Sequence, residues 1–510
     1  MILEALIGVT FLAALIVMLS PDEYAGRLAF ALSLLPVVGS LYMWAGFDAG
    51  GNALMAGSIA YRTQIDWLVA GGYRLQWFVG VDGISLPLVV LSTVLTTLAI
   101  LSAWTPIDTR QSQFYGLMLF MEANLLGVFT ALDFFLWFVF WEAVLVPMYF
   151  LIGVWGGPRR KYAAIKFFVY TNIASLVMFI GFMSLVFNLP VDSFGLPAIT
   201  GSLQAGELSR FVGLDPAALK LAAFAAMFVG FAVKVPVVPF HTWLPDAHVE
   251  APTPVSVMLA GVLLKMGTYA LLRYNFTMLP DVATRPLVAT VIAAVAVVSV
   301  IYGAMLALAQ RDLKRIVAYS SVSSMGYVIL GLIAYTGLGI GGATFQMVAH
   351  GLISGLMFMA VGVIYNVTHT RMVGDMSGMA DRMPITVGIL VAGAFGYMGL
   401  PLMAGFAAEY FIFQGAFAST VIPSAPLFTA ASMFGIVIVA GYLLLAMQRT
   451  LFGEFRLETD YEVRRAHFHD VAPLAVLLLC TIALGVAPDI FFTMMADAIE
   501  PVVAVVGGGA

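Results

Sequence analysis

Cys480 is the single cysteine in 510 residues. One thiol excludes a disulfide within the chain and any four-cysteine iron–sulfur cluster held by this chain alone. Charge is equally scarce: 10% of residues are charged and 62% are hydrophobic, with a mean hydropathy of +1.01. Soluble domains run at roughly 25% charged and 45–50% apolar, so the composition describes a polytopic membrane protein. The net charge of −5 is too small to suggest a nucleic-acid partner or an acidic tail. No P-loop is found, which argues against nucleotide-driven transport. The GLGIGG stretch at 337–342 follows no strand and joins two apolar runs, so it is not read as a phosphate loop. Leu6–Leu19 is preceded by Glu4 rather than a basic region, so it reads as a first span rather than a cleaved signal.

Long apolar runs fill the space left by the missing charge. About 20 apolar residues cross the hydrocarbon as a helix. Spans are expected at 2–20, 28–46, 82–104, 113–132, 134–155, 162–187, 218–240, 253–275, 286–309, 315–335, 342–366, 384–418, 426–448 and 471–496. The expectation is therefore an all-α polytopic membrane protein of about fourteen transmembrane helices, forming a single membrane domain over 1–510. The breaks at 47–81 and 188–217 read as extramembrane loops. Alternate loops carry Arg27, Arg110, Arg159, Arg160, Lys161, Arg311, Lys314, Arg315, Arg371, Arg382, Arg449, Arg456, Arg464 and Arg465; the opposite side carries Arg62, Arg74, Arg210, Lys220, Arg273 and Arg285. That bias of fourteen cations against six predicts both termini on the non-cytoplasmic side.

Spans seven and twelve are interrupted, at VKVPVVPFH and at GLPLMAGFAAEYF. They lie five spans apart, an odd offset that places the units around them in opposite orientations. Such a matched pair points to inverted repeats with a site near the midplane, although membrane helices also tolerate ordinary proline kinks.

The few charges inside the spans are the candidate site. Each costs roughly 2.5–3.5 kcal/mol at a helix centre for Lys, Arg or Asp, so such residues face a protein interior or a wet cavity. The candidates are Glu142, Lys234, Lys265, His350 and Glu409, with Glu122 as a secondary one. Together they supply exchangeable protonation states, and a proton relay is the functional reading. Moving or neutralising Glu142 would switch Lys234 between holding and releasing a proton. Each also has a plainer reading, as a satisfied interior group or, for Glu142, a salt bridge to the basic loop at Arg159. His241 and His248 lie seven residues apart with no third ligand at helical spacing, so no metal is expected. Bis-histidine haem is not expected either, since only His350 is securely inside a span.

The stretch FAVKVPVVPFHTWLPDAHVEAPTPVSVMLAGVLLKMGTYALLR, residues 231–273, resembles the signature of the antiporter-like membrane subunits of respiratory complex I and of multisubunit cation/proton antiporters. The resemblance continues through WEAVLVPMYFLIGVWGG at 141–157, RDLKRIVAYSSVSSMGYVILG at 311–331 and FQMVAHGLISGLMF at 345–358, and covers about 80–455. It implies two inverted five-helix repeats, here 113–275 and 286–448, flanked by 1–104 and 471–496. It implies a proton-translocating role without a cofactor in this chain, coupled to quinone reduction elsewhere in an assembly. By motif position Glu142 and Lys234 would be a modulating pair, Lys265 would lie on a central hydrophilic axis with His350 beside it, and Glu409 would be the terminal carrier. Glu409 stands where sister subunits and antiporter chains have lysine, which favours complex I over a stand-alone cation/proton antiporter. Implied partners are other membrane-arm subunits, including sister antiporter-like chains, in the lipid of a prokaryotic cell membrane. Many relatives have a histidine where SSVSSMGY has Ser324. A hydroxyl joins a water chain but holds no charge at neutral pH, so water is expected to compensate there.

Overall fold

In the computed structural model, residues 1–48, 50, 54, 58–461, 463 and 465–506 are described. Arg464, counted above among the basic loop residues, lies outside the described residues. Among the described residues, eleven helices are long and apolar enough to cross a membrane.

Burial sorts these helices into a centre and a rim. Thr253–Phe276 and Gly337–Thr368 are surrounded by protein over the whole of their most apolar windows, and Leu313–Ile333 over 94%. Asp22–Ala45 and Phe468–Val486 bury only 28% and present the rest outward. A helix apolar all round belongs in a protein interior or in lipid, and both destinations are used here. Gly337–Thr368 has 32 residues, roughly 48 Å at 1.5 Å per residue, and starts at a Thr336 hydroxyl that accepts the Gly339 N–H at 3.0 Å. The glycines of GLGIGG serve close packing at this end. A Cβ on Gly342 would stand 2.7 Å from the Ile412 backbone nitrogen, so the glycines let the Ala404–Phe417 helix, which carries Glu409, lie directly against the core.

Capping and proline chemistry set the helix ends that matter. Asp215 accepts from Ala218 N–H at 2.8 Å and Pro216 occupies the first turn, where a missing N–H costs nothing. That helix runs Pro216–Lys234 and stops. Pro236 and Pro239 lack the N–H that would continue it, and the chain re-forms a helix at Trp243–Glu250. The other interrupted run divides into Pro384–Tyr397 and Ala404–Phe417. Between them Gly399 adopts φ +65°, a conformation that favours glycine. Thr253–Phe276 contains π-helical turns at Leu259–Leu263 and Leu271–Phe276, the first of them immediately before Lys265; such turns are frequent at functional sites.

Several expectations are corrected. The 47–81 break is not only loop: Ala60–Ala70 and Tyr73–Val81 form an antiparallel hairpin. Its Gly71–Gly72 turn has φ +60° and +86°, the positive angles that match the twist of paired strands. The hairpin went unread because its alternation is weak and Ile65, Trp67, Leu68 and Val69 on its first strand are exposed. The 188–217 break holds a short helix, Leu196–Gln204. The run 471–496 is two helices, Phe468–Val486 and Asp489–Ala504, separated at Pro488, whose ring breaks the hydrogen-bond ladder. Asp489–Ala504 packs on the start of Gly337–Thr368, with the Phe491 ring 5.3 Å from that of Phe345. Finally, Lys314 and Arg273, assigned above to loops, are buried in the protein.

Candidate functional site

The buried charges form three groups strung through the centre of the molecule. The first joins Phe134–Trp155 to the end of Pro216–Lys234. Lys234 is 2% exposed and its ammonium makes no hydrogen bond among the described residues. It lies instead over the Trp141 ring, 4.7 Å from the centroid, a contact worth about 2 kcal/mol when desolvated. Trp141 is held in place by its indole N–H, which donates to Ser175 Oγ at 2.9 Å. The neighbouring Glu142 carboxylate is within electrostatic range of Lys234. It accepts from Asn172 Nδ2 at 3.0 Å, while its other oxygen has no partner among the described residues. A cation and an anion thus sit close without being locked in a direct bond, which leaves both free to respond to each other.

Lys265 and His350 form the second group. Lys265 Nζ lies 2.6 Å from His350 Nδ1, and both residues are buried. The ammonium also donates to the Ala260 carbonyl, inside the π-helical turn five residues back. On the far side of the imidazole the Tyr397 hydroxyl lies 3.5 Å from Nε2. When Lys265 is an ammonium it donates to Nδ1, so the imidazole proton resides on Nε2 and faces Tyr397. When Lys265 is neutral, Nδ1–H becomes the donor. One short contact therefore couples the protonation of the lysine to the tautomer of the histidine. Tyr397 interacts in turn with the side chains of Ser321 and Ser354, and Ser324 is buried one turn further along the Ser321 helix.

Glu409 is the third group. It is 5% exposed, and its Oε2 has no partner among the described residues. Gly399 stands against it, so close that a Cβ there would lie 2.6 Å from Oε2. Tyr327 and Tyr442 are within electrostatic range, and Tyr442 donates to Ser320 Oγ at 2.6 Å.

The secondary candidates divide. His248 lies near the Lys265 group: it is stacked 4.4 Å from the Phe358 ring, neither ring nitrogen has a partner among the described residues, and Lys314 and Lys265 are both within electrostatic range. His241 sits beside Tyr302 and Tyr319, with centroids at 5.8 and 6.4 Å, away from the lysine pair's hydrogen bonds. Glu122 is fully buried and neither carboxylate oxygen has a partner among the described residues, so no hydrogen bond joins it to any of the three groups.

Several polar residues join the constellation that sequence reasoning missed. Lys314 is buried, donates to the Ala251 carbonyl at 2.6 Å and lines a cavity of about 520 Å³ with Glu250, Asp312, His369 and Arg371. Its position at the first turn of a span made it look like a loop cation. Asp246 receives both Lys166 Nζ at 2.7 Å and Arg315 Nη2 at 2.9 Å, which anchors the re-formed helix Trp243–Glu250. Tyr397, Ser321 and Ser354 carried no signal, since hydroxyls are common in apolar spans.

Titratable side chains on broken helices at the centre of a helical membrane protein define a class of ion-translocating chains, and comparisons narrow it. Residues 131–438 match the family described as NADH:quinone oxidoreductase/Mrp antiporter, TM. The chain belongs to this family of antiporter-like membrane subunits. It is 37% identical over 487 residues to the F(420)H(2) dehydrogenase subunit M of Methanosarcina mazei, covering 95% of this chain and 94% of that one. It is 38% identical over 502 residues to an NAD(P)H-quinone oxidoreductase chain 4 of Trichormus variabilis, covering 96% and 88%. Its fold matches a chain of the respiratory complex I of Thermus thermophilus with TM-score 0.85 at 25% identity, over 99% of this chain and all of that one.

Proposed function

We propose that the chain is the subunit M type of antiporter-like subunit, the counterpart of chain 4, in the membrane arm of a quinone-reducing complex. There it moves protons in response to redox chemistry carried out by other subunits. The relatives at 37% and 38% identity carry names of redox complexes, which favours this reading over a stand-alone cation/proton antiporter. The observation that carries it is the 2.6 Å contact between Lys265 and His350, a buried pair of bases between which one proton is exchanged.

In this mechanism the fourteen expected spans lie with both termini outside the cytoplasm, and 113–275 and 286–448 act as inverted halves. Protons reach the axis from the basic face through the cavity at Lys314 and past His248. A change in the charge of Glu142 shifts the proton affinity of Lys234 over Trp141. That change is felt at Lys265, whose proton passes through His350 and Tyr397 towards Glu409. Ser324 lends a hydroxyl to a hydrated chain on this route and carries no charge itself. Glu409 releases the proton outward. The test is Glu142→Gln in the intact complex, with proton uptake into vesicles measured during quinone reduction. A proton yield per electron at least several-fold lower supports the reading; unchanged coupling overturns it and leaves a scaffold.

A further inference from the structure

Four residues beyond Tyr269, and eight beyond Lys265, the same helix carries a cation of a different kind. Lys265, Tyr269 and Arg273 follow at four-residue intervals, so they stack on one helix face, with Lys265 and Arg273 roughly 12 Å apart along the axis. Arg273 forms a salt bridge with Asp82 in which both side chains are 3% exposed. Asp82 follows directly on the hairpin strand Tyr73–Val81. Its Oδ1 also accepts the N–H groups of Ile84 at 3.1 Å and Ser85 at 3.0 Å. The guanidinium lies 5.0 Å from the centroid of the Tyr269 ring, whose hydroxyl reaches the Phe129 carbonyl at 3.4 Å. The helix Asp489–Ala504 packs directly against the residue after Asp82: a Cβ on Gly83 would collide with the Met494 backbone. The pair is nonetheless incompletely satisfied, since Asp82 Oδ2 and Arg273 Nε have no partner among the described residues.

Burying an ion pair is costly and seldom retained for stability alone. The chemistry of the two cations suggests what this one does. A lysine shifts its pKa readily and releases a proton, whereas an arginine stays charged. Along one helix face the side chains pass from a titratable ammonium to a fixed positive charge, and a fixed arginine in a narrow path repels protons and other cations. Asp82 neutralises that charge enough to let it stay buried without making it titratable.

We propose that Asp82 and Arg273 form an outer seal, a fixed-charge barrier that stops protons held at Lys265 from escaping past the hairpin. The proposal rests on the proton-carrying role of Lys265 given above. It assigns the hairpin and the Asp489–Ala504 helix a second task, holding the seal shut, and it makes the route through Glu409 obligatory.

The test uses the whole complex in proteoliposomes with trapped pyranine, given an acid pulse without electron donor. Arg273→Lys keeps the ion pair and hence the fold, but its ammonium can release a proton; passive proton leak is expected to rise several-fold. The double variant Asp82→Asn/Arg273→Met removes both charges together and is expected to leak likewise. An assembled complex of either variant that stays as tight as the parent overturns the seal. Adding Lys265→Met to Arg273→Lys should return the leak to the parent level; a leak indifferent to Lys265 also overturns it. Lys265→Met alone, measured for pumping during quinone reduction, separates the two readings. Normal pumping there sinks the proposed function, whereas lost pumping beside tight Arg273→Lys vesicles sinks only the seal.

Discussion

The two interrupted helices make the same backbone device serve opposite charges. At Lys234 the helix ends on a cation, which finds the face of Trp141 and the nearby carboxylate of Glu142. At Glu409 the titratable group is an anion on the second segment, close to Gly399 and among the tyrosines Tyr327 and Tyr442. An ammonium is stabilised by π-electron density, whereas the tyrosines near Glu409 direct their hydroxyls elsewhere, Tyr442 to Ser320 Oγ and Tyr327 to the Ser432 carbonyl. The two breaks therefore differ in what surrounds them rather than in the backbone device. Swapping the charge without its surroundings should fail.

The largest effect is expected at the buried pair apart from both breaks. Lys265→Met removes the ammonium bonded to His350 and should lower proton pumping more than tenfold, read as vesicle acidification per quinone reduced. Glu409→Lys gives the second break the charge of the first without the Trp141 and Glu142 side chains that surround Lys234. Pumping should fall several-fold, and further than in Glu409→Gln; equal pumping by the lysine variant and the parent would dissolve the contrast drawn here. Trp141→Phe keeps a π face but loses the bond to Ser175, a change of about 1 kcal/mol. Trp141→Leu loses both and costs about 2 kcal/mol more through the cation–π contact. Thermal unfolding of the purified complex subunit set should rank parent, Phe, then Leu.

Gly399→Ala should cost about 1–2 kcal/mol from its left-handed backbone and displace Glu409, so its melting shift is accompanied by slower pumping. The smallest effect belongs to Arg74→Gln at the hairpin. There the Arg74 guanidinium, bonded to Asp192 at 2.8 Å, holds that carboxyl below its ordinary pKa. A lowered folded-state pKa contributes stability above the unfolded pKa and loses it as pH falls through the folded value. Any melting difference should thus appear only at neutral and alkaline pH, and vanish in acid. At this exposed pair it should be barely resolvable.

Much of the site was legible because oil makes charge conspicuous. Glu142, Lys234, Lys265, His350 and Glu409 each stand alone in an apolar run, and an uncompensated charge there needs a reason. Pro236 and Pro239 marked the first interruption as clearly. Lys314 and Arg273 escaped notice because they sit near span ends, where a cation normally snorkels to water. They are buried only because neighbouring elements cover them and, at Arg273, because Asp82 at the end of the hairpin pairs with it. Tyr397, Ser321 and Ser354 show the same limit: nothing local distinguishes a hydroxyl near the Lys265–His350 pair from one that is merely packed.

The sequence by itself determined that this chain crosses a membrane many times, where its helices break, and which titratable groups lie within them. Each follows from a local quantity: hydropathy over a helix length, a missing N–H, or a charge without water. Only the tertiary structure decided which of those groups meet. The 2.6 Å approach of Lys265 to His350, the tryptophan beneath Lys234 and the aspartate against Arg273 each join residues far apart in the chain. Such pairings depend on how separate helices pack, and no single helix records its neighbour.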